Sequence, residues 1–261
     1  MVTAQGSRGD IILFEDFVGA EIPVASAVAY AGNVTGYKIG RFKVTGDLVE
    51  TDTGAISVAV SNGALRISGN NENGKGVAIG TEVIFDPALN GMLSMETRVQ
   101  RAAVTAGAVF AGFCGVHADD VAEPATATGT TYTLTAAATC GFSLDSQLTA
   151  TATWHCIFNG GTVSGVTDST AVVTGTTNDR NKNSVAAQVA VAGEWDLLKI
   201  DIAPNGTAEW YLNGILVQKQ ENAVSTSTDL ACYVGVWGTA STVASLDIDY
   251  LLVKARRNWT R

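Results

Sequence analysis

The sequence is short of charge, proline, histidine and long apolar runs, and each shortage excludes something. Charged residues make up 16% of 261 positions, against roughly 25% in an average globular domain. The polar surface therefore falls to Thr, Ser, Asn and Gly, which lose water more cheaply than Lys and Glu and suit contact with other subunits. Apolar residues reach 46%, yet no run approaches the ~18–20 residues of a membrane helix, and no membrane partner is expected. Acidic residues outnumber basic ones, 25 to 16, for a net charge of −9. That argues against nucleic acid as a partner, because basic patches supply that affinity. The four cysteines, Cys114, Cys140, Cys156 and Cys232, form no Cys-x-x-Cys pair. The start, Met1 to Gly6, has no basic stretch followed by an apolar one. No signal peptide is expected, so the thiols are expected to be reduced and buried.

Helical periodicity is missing too, whereas period-two alternation broken by Gly, Asn and Asp recurs throughout. One hairpin spans 56–68, with Ile56, Val58 and Val60 on one side of Asn62-Gly63 and Leu65 and Ile67 on the other. Asn-Gly favours such turns because both residues tolerate positive φ. A meander spans 194–220: a strand at 195–202, a Pro204-Asn205-Gly206 turn, a strand at 207–212, an Asn213-Gly214 turn and a strand at 215–220. Ala208, Trp210 and Leu212 share one face of its middle strand, and Thr207, Glu209 and Tyr211 the other. Further strands are expected at 11–17, 37–44, 76–85, 93–101, 108–116, 141–144, 151–158, 184–191, 230–237 and 244–254. Segments 118–139 and 164–183 are weakly patterned and read as long loops or a β-excursion. About a dozen strands and few helices predict one sandwich or barrel, and a chain of this length can bury ~70–75% of its unfolded surface in a single core.

Three separated segments resemble the concanavalin A-like jelly-roll superfamily, which holds laminin G-like modules, legume-type lectins and laminarinase-like glycosidases. Residues 13–19, Leu-Phe-Glu-Asp-Phe-Val-Gly, are similar to the edge strand that opens such domains. Glu194-Trp195 through Asn213-Gly214 resembles the laminin G-like hairpin, and residues 246–253, with Asp249-Tyr250, the closing strand that returns beside the first. The resemblance implies an all-β jelly-roll β-sandwich of two antiparallel sheets over 11–253, with an extended arm at 1–10 and a basic tail at 254–261.

Catalytic chemistry finds little support. Laminarinase-type sites carry several carboxylates on one strand, since nucleophile and acid must sit ~5–5.5 Å apart. Here Glu96 and Glu209 are each alone on a strand. Asp247 and Asp249 lack a third acidic neighbour and read first as solvated strand residues, with a role at the sheet edge, pairing with the basic tail or binding Ca²⁺, as the alternative. Two histidines leave few bases for a serine nucleophile, and no Gly-x-Ser-x-Gly motif occurs. Asp119, Asp120 and Glu123 are candidate Ca²⁺ ligands, because hard cations take several loop oxygens, although a plain surface loop accounts for them as well. Cys114, His117, His155 and Cys156 have zinc-ligand chemistry, but adjacent His155 and Cys156 point to opposite faces of a strand. Arg8-Gly9-Asp10 spells an integrin-type tripeptide that chance explains. Trp195, Trp210 and Trp237 are expected in the core; Trp154 and Trp259 are expected exposed, with Trp154 able to stack on a sugar.

No enzyme, cofactor or resident metal is therefore expected. The sequence reads first as a virus-particle structural protein, most simply a phage capsid decoration protein assembled in the host cytoplasm and located in the virion. Its partners would be capsid or other virion proteins and copies of itself, as a trimer or dimer. Arg8, Asp10, Lys254, Arg256, Arg257, Trp259 and Arg261 in the two arms would make those contacts. The alternative is a carbohydrate-binding, lectin-like module, which predicts exposed aromatic rings beside polar groups on one face.

Overall fold

A computed structural model describes residues 9–18, 38–46, 56–60, 63–69, 73–118, 121–129, 131–149, 152–162, 189–239 and 242–257. Those residues form strands and, among them, no helix. In chain order the strands are β1 (Asp10–Glu15), β2 (Lys38–Ile39), β3 (Phe42–Gly46), β4 (Ile56–Val60), β5 (Ala64–Ser68) and β6 (Gly76–Gly80). Next come β7 (Leu93–Gln100), β8 (Ala108–Cys114), β9 (Ala125–Thr128), β10 (Thr131–Leu134), β11 (Thr139–Asp145) and β12 (His155–Asn159). The last are β13 (Trp195–Ile202), β14 (Ala208–Leu212), β15 (Ile215–Gln220), β16 (Ala231–Trp237) and β17 (Ser245–Arg256). Segment 164–183 and most of the strand expected at 184–191 lie outside the described residues.

Two antiparallel sheets pack face to face. One has eight strands, β15-β14-β13-β7-β17-β5-β4, with β1 also beside β17; the other has seven, β12-β11-β8-β16-β6-β3-β2. Strand β17 serves three partners: β7 on one side, and β5 and then β1 on the other. Between the sheets, Leu198, Ile200 and Ile202 of β13 and Met95 and Val99 of β7 share one core with Val109, Phe113, Phe142 and Val234 of the opposite sheet. Each such side chain contributes about 1.5–3 kcal/mol by leaving water. Trp210 crosses between the layers, donating its indole N–H to the Gly141 carbonyl at 3.0 Å.

The expected arms start later and end earlier than their composition suggests. Asp10 pairs with Arg256 and Ile12 with Lys254 in a continuous ladder, and Arg257 N–H donates to the Gly9 carbonyl at 2.5 Å. Asp10, Lys254 and Arg256 thus belong to the sheet. The reason is that alternate burial of Leu251, Val253 and Ala255 extends β17 past the first basic residue. Of the remaining arm residues, Arg257 is exposed, while Arg8, Trp259 and Arg261 lie outside the described residues.

Segment 118–139 contains a β-excursion. Its strands β9 and β10 pair with each other and lie on the outer face of the seven-stranded sheet. Val121, Ala125, Ala127, Tyr132 and Leu148 bury Phe110, Ile157, Tyr233 and Trp237 there in a second apolar cluster. Trp237 is buried as expected, but outside the sandwich core.

Candidate functional site

The outer face of the eight-stranded sheet is half-exposed along β7, β13, β14 and β17. Strand alternation decides what stands there: with Leu198, Ile200 and Ile202 turned inward, Trp195, Leu197, Lys199 and Asp201 must turn outward. Cross-strand pairing then lines up Phe14, Leu252, Glu96, Lys199, Tyr211 and Leu216 across six strands.

A second alignment is aromatic. The rings of Phe14 and Tyr250 are 6.1 Å apart, Tyr250 lies opposite Arg98, and the Arg98 guanidinium stands 4.8 Å over the Trp195 ring. A register shift in β17 between Ile248 and Tyr250 turns both Asp249 and Tyr250 toward this face, where both are partly exposed. Arg98 Nη1 donates to Asp249 at 2.9 Å, and the Tyr250 hydroxyl donates to Glu96 at 2.7 Å. Burial, with the Glu96 bond second, raises the Tyr250 hydroxyl pKa, so it stays a donor. The Tyr250 and Trp195 rings are therefore each fixed by a charged neighbour while keeping part of their surface in water.

Toward the other end of β13, the same face carries an open depression of about 290 Å³ lined by Met92, Asp201, Asn205, Thr207, Glu209, Lys219 and Glu221, with Ala203 at its wall. Glu209 accepts bonds of 2.6 Å from both Lys219 Nζ and the Tyr211 hydroxyl. The Lys219 bond and then the Tyr211 bond hold its carboxyl below the usual range, and Tyr211 is pushed up to about 12 in return. Asp201 accepts from Lys199 Nζ and from Ser94, both at 2.7 Å. The lining offers acceptors, ammonium and amide donors and one apolar wall, a set that suits a ligand rich in hydroxyls.

Several expected site residues stand elsewhere. Trp154 is 1% exposed; its ring packs edge-on to Phe142 and its N–H donates to Asp196 at 2.9 Å, so it cannot stack on a sugar. Trp195, expected in the core, is on the open face instead. Glu123 is buried and pushed up to about 8, first by desolvation and then by Asp145, the reverse of what a Ca²⁺ ligand needs. Asp119 and Asp120 lie outside the described residues. Among the described residues no cluster of three His, Cys, Asp or Glu side chains could hold a metal. Asp247 and Asp249 are held by Arg66 and Arg98. His117 is buried, its Nδ1 donating to the Thr81 carbonyl and its Nε2 bonded to Thr45, both at 2.7 Å. His155 packs on Tyr132, and all four cysteines are buried thiols.

By architecture the chain is a lectin-type jelly-roll β-sandwich. It is similar over 98% of its length to a protein of unknown function from Shewanella oneidensis MR-1, with TM-score 0.55 and 12% identity, covering 90% of that chain. The Emp47p carbohydrate recognition domain aligns with 92% of this chain and 96% of its own, with TM-score 0.50 and 10% identity. Peanut lectin bound to a nine-residue peptide aligns with 94% and 97%, with TM-score 0.50 and 10% identity. At these identities the likeness is one of fold. No protein-family model and no curated protein matches the sequence.

Proposed function

We propose that this chain is a non-catalytic carbohydrate-binding module that presents the outer face of its eight-stranded sheet. The observation that carries this reading is the strip Phe14–Tyr250–Arg98–Trp195, in which partly exposed rings stand on either side of a charged hydrogen-bonding group. A sugar ring has apolar C–H faces and a rim of hydroxyls. The rings would take the first, and Glu96, Arg98 and Asp249 the second, with the depression farther along β13 open to a longer ligand. Glycans are the ligand class to test first because the fold is shared with a carbohydrate recognition domain and a lectin.

Binding is preferred to hydrolysis on the state of the carboxylates. A glycosidase acid must be held protonated near neutral pH. On this face Glu209 moves the opposite way, while Glu96 accepts from Tyr250 and Asp201 from Lys199. The test is a glycan array with the full chain, followed by titration calorimetry of each hit with Trp195→Ala and Tyr250→Ala. Loss of binding in both, with the fold intact by circular dichroism, supports the reading; an empty array, or hits indifferent to both changes, overturns it.

A second reading keeps the same face for protein contact: a virus-particle structural protein, most simply a phage capsid decoration protein located in the virion. Phe14 is 50%, Leu216 41% and Met92 54% exposed, apolar surface that a neighbouring subunit would cover. Size-exclusion chromatography with light scattering decides it. A closed dimer or trimer weakened by Phe14→Ser supports subunit contact, and a monomer at all concentrations removes it.

A further inference from the structure

The β9–β10 hairpin covers the seven-stranded sheet, is fastened to it at three places and is closed on itself at its root. Trp237 donates its indole N–H to the Val121 carbonyl at 2.8 Å, and the Tyr132 hydroxyl donates to Ser143 at 3.2 Å. At the turn, Gly129 N–H donates to Gln147 at 3.1 Å and its carbonyl accepts from Thr149 at 2.7 Å. At the root, Thr135 and Ala136 N–H groups donate to the Pro124 carbonyl at 2.9 and 3.1 Å. Beneath the cover lie Phe110, Tyr233 and Trp237, all at most 2% exposed.

Next to that root, two carboxyl groups are buried together. Glu123 is 8% and Asp145 1% exposed. Glu123 lines a cleft with Ala108, Phe110, Ser143 and Trp237 that is too narrow to admit water. Asp145 accepts from the backbone N–H groups of Gln147 and Ala127, so its charge is the better supported of the two. Arg101, 3% exposed, lies near enough to attract Asp145. Among the described residues none of its three guanidinium nitrogens has a hydrogen-bond partner, so its attraction for Asp145 is not backed by a hydrogen-bonded ion pair, and Glu123 gains nothing from it.

We propose that the hairpin is a proton-locked cover, held down while Glu123 is a neutral acid and released from the sheet when Glu123 ionises beside Asp145. Two like charges in one dry site cannot both be kept at low cost. Moving the root of the hairpin outward rehydrates Glu123 and exposes the aromatic face beneath. Of the groups around Glu123, Asp145 on β11 repels its charge and Tyr132 on β10 is itself held neutral by burial, while the Arg101 guanidinium attracts Asp145 and His155 on β12 packs against Tyr132 at 5.3 Å. Desolvation and Asp145 together push Glu123 up to about 8, whereas in water it returns to the ordinary range near ~4.3. The closed form thus binds the proton more tightly. Opening rises about tenfold per pH unit between about 5 and 8 and levels off above.

Hydrogen exchange of peptides within 121–138, corrected for the intrinsic pH dependence and compared with β13–β14 peptides of the same full-length protein, tests this. At pH 5, 6, 7 and 8 the hairpin's opening should rise at least 100-fold in total while β13–β14 changes little. Glu123→Gln should make the hairpin's opening independent of pH, and Asp145→Asn should bring the levelling-off to a lower pH. Equal opening of the wild-type hairpin at pH 5 and 8 overturns the proposal without any variant. So does an unaltered rise in either folded variant.

Discussion

Trp154 and Asp196, 42 positions apart, are joined by one buried hydrogen bond of 2.9 Å from the indole N–H to Oδ2. The other carboxylate oxygen accepts from the Asn213 amide at 3.0 Å. Asn213 in turn closes the β14–β15 turn at a φ of 52°, with its Oδ1 accepting from Leu197 N–H at 2.8 Å. One carboxylate therefore anchors the segment before β12, the start of β13 and a hairpin turn.

Asp196→Ala should destabilise the protein by about 2–3 kcal/mol, because two donors lose their acceptor and one of them stays buried. Urea unfolding measures it through the shift in midpoint at constant slope. A loss below ~0.5 kcal/mol would mean that both donors find other partners.

Arg66 grips Asp247 through two parallel bonds, Nε to Oδ1 at 2.6 Å and Nη2 to Oδ2 at 2.7 Å. The Arg66 side chain remains 41% exposed and that of Asp247 10%. The pair should therefore show a coupling of about 1 kcal/mol, above a fully solvated ion pair and below a buried one. A double-mutant cycle with Arg66→Ala and Asp247→Ala reads this directly; zero coupling would reduce the fork to a surface contact.

Global stability should fall with rising pH on account of Glu123. Its pKa in the folded protein, about 8, lies above the ~4.3 of an unfolded chain. The stability it contributes is complete below ~4 and is lost as pH rises to about 8. Thermal unfolding at pH 5 and 8 should show a higher Tm at pH 5, with the gap narrowed in Glu123→Gln. A gap of unchanged size in that variant would assign the effect to other groups.

Gly141 admits no side chain. A Cβ there would lie 2.2 Å from the Phe110 ring, and its carbonyl is the acceptor that ties Trp210 across the sandwich. Gly141→Ala should cost about 2–3 kcal/mol by overpacking. At Gly193, where φ is +79° and nothing lies within 4 Å, alanine should cost only ~1 kcal/mol of backbone strain. Chemical denaturation of the two variants side by side would reveal the order, and equal losses would contradict it.

The layered fold was legible because alternation is a local property. Leu198-x-Ile200-x-Ile202 and Ala208-x-Trp210-x-Leu212 place their faces without reference to the rest of the chain. The aromatic strip was less legible, yet the signal was present: Trp195 has the opposite parity to Leu198 and must face away from it. Trp154 reads as exposed and is instead buried, since its burial depends on Asp196 and no local pattern announces that bond. The hairpin at 125–134 was readable only as an excursion, because Ala and Thr alternate there without large apolar residues, and its buried face is supplied by Phe110, Tyr233 and Trp237 from distant strands. The end of β17 was misplaced because basic residues on an exposed strand face look like a tail until the buried Ala255 between them is counted.

Strand β17 also sets the order in which the protein can be built. It fills the space between β7 and the pair β5 and β1, yet it follows the other strands along the chain. During synthesis, β1, β5 and β7 must therefore wait through more than a hundred further residues with open edges, the exposure that invites mispairing. The eight-stranded sheet can close only when residues 245–256 arrive, so folding should be slow, dominated by distant contacts, and dependent on whatever shields those edges in the meantime.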